Sequence, residues 1–242
     1  HDIHVPCDVE PTGRTATMLL TLGGHGVPRG VGRQLAQQTA RWVSPVLAPD
    51  VLVVLDDAHR NEMKGDASLV ASWLDADRNV GRVDYAEERA GGLSTDDLAG
   101  YDVVWFSNPG YPMNDRASFD ALQAFSAAGG GVVLQGDDMG WSWGNDWSMA
   151  PLTHADWQDN GIHACDHVFN NGKNDAYTVT IADERHPLLG TLAGTSFTYA
   201  DDIDRTVARG EGEAVLATAH VPAGSCASSR PALIAFDPVE SP

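Results

Sequence analysis

Apolar residues in this chain gather in short continuous runs that alternate with stretches of helical spacing. Residues 15–22 form a β-rich apolar run that stops at Gly23-Gly24-His25-Gly26, and residues 31–43 then carry helical spacing. Residues 51–55 are continuously apolar, as in a strand buried on both faces, and run into Asp56-Asp57-Ala58-His59. Over 66–74, Leu69, Val70, Trp73 and Leu74 share one helical face, and 80–85 is a shorter strand candidate. Residues 93–98 read as a capped helical turn ahead of an apolar strand over 101–106, which breaks at Ser107-Asn108-Pro109-Gly110. A helix over 115–128 is predicted to end at Gly129-Gly130-Gly131, and strand 132–134 leads into Gln135-Gly136-Asp137-Asp138-Met139-Gly140.

Strands of this length alternating with three-turn helices predict a flavodoxin-like α/β fold, a parallel sheet with right-handed crossovers and helices on both faces. Short strand candidates at 178–181, 196–199, 214–217 and 232–236 predict an added antiparallel edge in the last third. The 242 residues fit one α/β domain, with a flexible arm over 1–14 and a decorated loop region over 141–176. In that region Trp141, Trp143, Trp147 and Trp157 crowd among Gly, Asn and Asp, together with His154, His163 and His167.

Charge narrows the partners. Thirty-four acidic against fifteen basic residues give a formal charge of -19, which repels phosphate backbones and anionic membrane surfaces, so nucleic acid is not an expected partner. No apolar run approaches the roughly 20 residues that cross a bilayer, and membrane insertion is not expected. The first residues, His1-Asp2-Ile3-His4-Val5-Pro6, carry neither the charged nor the apolar region of a signal peptide, and the lack of an initiator Met sets the expectation of a start after processing or truncation. Cys7, Cys165 and Cys226 have no C-x-x-C spacing, which disfavours structural zinc. One disulfide and one odd thiol, in a secreted or extracytoplasmic protein, are expected.

Tyr101-Asp-Val-Val-Trp-Phe-Ser-Asn-Pro-Gly110, the helix after it, Gly129-Gly-Gly-Val-Val-Leu-Gln-Gly136, and later His186-Pro187-Leu188-Leu189 with Phe197-Thr-Tyr199 carry a resemblance. Over roughly residues 50 to 236 the chain resembles the class I glutamine amidotransferase-like superfamily, in particular its trehalose-utilisation-like branches. Active members of that superfamily place a Cys on the sharp turn after this strand, in a Gly-x-Cys-x-Gly setting. Here Gly136-Asp137-Asp138-Met139-Gly140 stands in its place, with Asp138 at the nucleophile position, and no His-x-Glu pair follows the last strand candidate. The resemblance therefore implies the fold without glutaminase chemistry.

The acidic strand ends are the main candidate chemistry. Asp56, Asp57, Asp137 and Asp138 fall on the C-terminal edge of a parallel sheet, where ligands bind. Such carboxylates either recruit a hard cation such as Ca²⁺ or Mg²⁺, or cap helix N-termini, where negative charge is favoured by about 0.3–1 kcal/mol. Asp138 could also act as a nucleophile with His154 or His163 as base. Asn108, Trp141 and Trp143 would line the same crevice, the tryptophans either stacking on a sugar ring or holding the loop down as a small satellite core. Three readings stay open: a domain that binds a ligand, carbohydrate or protein partner, a hydrolase using Asp138 or a metal-activated water, or a structural module within a larger assembly.

Overall fold

The structure, a computed structural model, describes residues 12–22, 27–56, 64–107, 113, 115–136, 149–157, 177–199, 203, 206–210, 212–220 and 229–238. Five parallel strands form its centre: β1 (Thr15–Met18), β2 (Val51–Leu55), β3 (Val83–Glu87), β4 (Val103–Ser107) and β5 (Gly131–Gln135), in the order β3-β2-β4-β5-β1. Every residue of β1, β2, β4 and β5 is buried, as their unbroken apolar runs predict, whereas edge strand β3 is half-exposed throughout. β3 lies a few residues later than the expected 80–85. There Val83-Asp84-Tyr85-Ala86-Glu87 alternates apolar and polar, and pairing with β2 sets its register from Val51↔Val83 to Leu55↔Glu87.

Helices α1 (Arg29–Val43) and α2 (Lys64–Asp75) pack against each other on one face of the sheet. The close approach of α1 depends on Gly131, because a Cβ there would collide with the carbonyl of Val43 in the helix's last turn. α3 (Arg116–Ala127) and the short α4 (Ala150–Thr153) pack together on the other face, which Thr17 marks by donating its hydroxyl to Thr153 O at 2.7 Å. Pairing of Thr17 with Leu134 puts that side chain on the opposite face from Gly131, three residues earlier on β5. The sheet is thus covered on both sides.

The antiparallel edge is present. β1 also pairs with β11 (Ser229–Phe236), which continues through β10 (Glu213–His220) and β7 (Tyr177–Ile181) to β8 (Ser196–Tyr199), making a nine-stranded sheet. Alternation of buried and exposed residues in β7 and β8 shows a sheet covered on one face only at this end.

Two further expectations change. The arm expected over 1–14 is held from Thr12 onward: Thr12 N and Gly13 N donate to Ser126 O, and Arg14 bonds Asp237 at 2.7 Å and Trp42 O at 3.2 Å. The region 141–176 contains α4 and β6 (Ala155–Trp157), which pairs with β9 (Thr206–Ala208) as a separate two-stranded ribbon. Such short pieces are specified by tertiary pairing rather than by any periodicity of their own. The capped turn expected at 93–98 is present: Ser94 N and Oγ both donate to Asp97, and the chain enters β4 a few residues later.

Candidate functional site

Crossovers from β2 and β4 leave in opposite directions. β2 leads through α2 on one face to β3, and β4 leads through α3 on the other face to β5. Because β2 and β4 are neighbours whose crossovers diverge, their C-terminal ends form a topological switch point, the kind of place at which α/β sheets bind ligands. Asp56 and Ser107 stand at that point. They are stitched together by Asp56 N donating to Ser107 O at 2.8 Å, and both are fully buried.

Three more polar groups gather along this edge. Ser107 pairs in register with Leu55 on one side and Gln135 on the other, and Gln135 pairs with Met18. Side chains of Ser107 and Gln135 therefore project from the same face of adjacent strands, about 5 Å apart along the sheet. Gln135 is oriented from below by Trp105, two residues before Ser107, whose indole Nε1 donates to Gln135 Oε1 at 2.9 Å. That leaves the amide Nε2 of Gln135 and the hydroxyl of Ser107 buried without hydrogen-bond partners among the described residues. On the flank of β2, Glu88 N donates to Leu55 O at 2.9 Å, and the buried Glu88 carboxylate accepts from Ser118 Oγ of α3. Ser118 Oγ in turn accepts from Leu93 N at 2.8 Å, which fixes α3 against the loop after β3.

Such groups are costly to bury unless something accepts from them, on the order of 1–3 kcal/mol for each unpartnered donor. Gln135 and Ser107 were visible in the sequence only as the polar residues that end two apolar runs. What distinguishes them is register, which places both on one face of neighbouring strands and which no local pattern reveals.

His154 lies elsewhere. It follows α4 in a left-handed conformation, φ 54 and ψ 26, and stacks on Phe236 with ring centroids 3.7 Å apart and planes within 11°. Phe236 pairs with Thr15, the first residue of β1, whereas Gln135 pairs with Met18, the last. The imidazole thus stands about 10 Å along the strand direction from the Gln135 level, at the N-terminal end of β1. It is 6% exposed, its Nδ1 is 3.6 Å from Glu213 Oε1, and its Nε2 is buried without a hydrogen-bond partner among the described residues. Burial, with a smaller contribution from the Arg209 guanidinium, pushes its pKa down from 6.5 to about 4.

Of the residues singled out from the sequence, Asp56 is at the switch point and His154 is in the enclosed position just described. Asp57, Asn108, Asp137, Asp138, Trp141 and Trp143 lie outside the described residues, as do His163 and the three cysteines. Among the described residues there is no group of three or more His, Cys, Asp or Glu able to hold a metal ion. No helix among them is long and apolar enough to cross a membrane. Comparisons of the chain with protein-family models, curated proteins and solved structures gave no match.

Proposed function

We propose that this chain is an extracytoplasmic amidotransferase-like domain without glutaminase activity, and that it binds a small polar ligand at the C-terminal edge of its parallel strands. One observation carries the reading: Ser107 Oγ and Gln135 Nε2, two buried donors without hydrogen-bond partners among the described residues, stand side by side at the C-terminal ends of neighbouring strands. A ligand oxygen, from a hydroxyl, carbonyl or carboxylate group, has the chemistry to accept from both. Absence of Cys from Gly136-Asp137-Asp138-Met139-Gly140 supports the loss of amide-hydrolysing chemistry. The enclosed position of His154 favours binding over a hydrolase in which that imidazole serves as base. Asp56 at this edge, followed in the sequence by Asp57, and the pair Asp137-Asp138 that follows β5 in the sequence supply the carboxylate chemistry that suits Ca²⁺ or Mg²⁺ as a co-ligand.

Thermal unfolding of the full chain tests this, first with EDTA, then with Ca²⁺, Mg²⁺ or Zn²⁺, and then with a panel of mono- and disaccharides and small carboxylates. A probe at about a hundred times its Kd stabilises by about 2.7 kcal/mol, or about 5–10 °C in a chain of this length. The expected result is a saturable rise with one probe, reduced at least tenfold in apparent affinity by Gln135→Met. Release of ammonia from glutamine above the buffer rate, or no shift with any probe, would overturn the reading.

A further inference from the structure

The opposite edge of the sheet carries a different feature. Between α1 and β2 the chain reads Ser44-Pro45-Val46-Leu47-Ala48-Pro49-Asp50, and Leu47 is 98% exposed, the most exposed large apolar side chain among the described residues. Val46, beside it, is 46% exposed. A single exposed Leu needs no explanation, but this one is held out by a rigid loop. Ser44 Oγ donates to Val46 O and accepts from Val46 N, at 2.8 and 3.1 Å. Two prolines fix their own φ, Pro49 O accepts from Gly81 N, and Asp50 N donates to Asp102 Oδ2 at 2.9 Å. Ala48 sits at φ 53, a left-handed conformation that costs a non-glycine residue about 1–2 kcal/mol. The chain therefore keeps a strained, braced turn whose effect is to present Leu47 to solvent.

Beside this knob lies a matching depression. An open groove of about 610 Å³ runs between the loop and the C-terminal end of α3, with Pro45, Leu98, Tyr101, Ala124, Phe125 and Ala128 in its walls. Pro45 is both a wall of the groove and the base of the knob, so the two features are adjacent on one surface. The charges divide in the same way. Arg78 flanks Leu47, while Asp102 lines the groove and the exposed Asp96 lies in the sequence between the lining residues Thr95 and Leu98; Arg82, which donates to Gly100 O in the groove wall, is paired with Asp50 and Asp84. Neither Arg78 nor Asp96 forms an ion pair among the described residues.

The geometry points to a second copy of this chain as the occupant: a two-fold dimer in which Leu47 of each copy enters the other's groove, with Arg78 facing the acidic rim. An isologous contact requires knob and hole to share one patch, as they do here. Charge decides between this and indiscriminate self-association. Two copies carrying -19 each repel, and a contact that sets arginine against aspartate is the arrangement that lets this edge meet itself. A rigid knob loses little entropy on docking, but the patch is small beside the roughly 800 Å² per partner of a standard interface, so the dimer is a weak, reversible one.

Sedimentation equilibrium of the full chain over a concentration series from low to several hundred micromolar tests it. The wild type is expected to pass reversibly from monomer to dimer. Leu47→Asp on the knob and Ala124→Glu in the groove are each expected to weaken association at least tenfold, with thermal unfolding unchanged because both side chains are exposed. A wild type that stays monomeric throughout the series, or either variant associating as the wild type does, would overturn the proposal.

Discussion

Acid should unfold this protein earlier than its carboxylates alone dictate, and His154 is the reason. In the folded chain its pKa is pushed down to about 4, while in the unfolded chain it returns to 6.5. Below pH 6.5 the unfolded state therefore binds a proton that the native state refuses, and stability falls as pH falls, until both states are protonated below about 4. The full displacement corresponds to about 3 kcal/mol, and the part expressed between pH 7 and pH 5 to about 2 kcal/mol. That is an upper figure, since the Glu213 carboxylate 3.6 Å from Nδ1 would favour the imidazolium, although the separation is too long for a hydrogen bond. Urea unfolding at pH 7 and pH 5 measures the loss, above the range where ordinary carboxylates titrate. The control is His154→Asn, which tolerates the left-handed backbone but carries no titrating ring. The variant is expected to be less stable than the wild type at pH 7, because the stacking on Phe236 is lost, yet nearly flat between the two pH values. Equal losses in wild type and variant would refute the assignment.

Three other perturbations probe the same framework. Gly131→Ala is expected to cost about 1–3 kcal/mol in urea unfolding, because the new methyl group meets the Val43 carbonyl and forces α1 away from β5. Trp105→Phe should cost about 2–4 kcal/mol, combining a cavity beneath the sheet with a Gln135 carbonyl oxygen that loses its donor; an unchanged denaturation midpoint would show that Trp105 does not orient Gln135. Ala48→Gly relieves the left-handed strain while loosening the unfolded chain, for a net stabilisation of about 0.5 kcal/mol, read as a small rise in melting temperature.

The apolar runs were enough to establish β2, β4 and β5, because a strand buried on both faces is written locally, as consecutive Val, Leu and aromatic residues closed by polar ones. α1 and α3 were legible for the same reason, through a 3.6-residue period and through Gly129-Gly130-Gly131 as a stop. β3 shifted because edge strands obey their neighbour's register more than their own composition. β6, β9 and α4 escaped because three or four residues carry no period at all.

The sequence by itself determined the class of the fold, the antiparallel addition, the strong negative charge and the polar residues at the strand ends. Each is a property of neighbouring residues or of the whole composition. Only the tertiary structure decided that β2 and β4 are adjacent, that Ser107 and Gln135 share a face above Trp105, that His154 lies at the other end of β1, and that Leu47 stands beside a groove. Those facts follow from strand order and register, which are set by how separate apolar faces find one another across long stretches of chain.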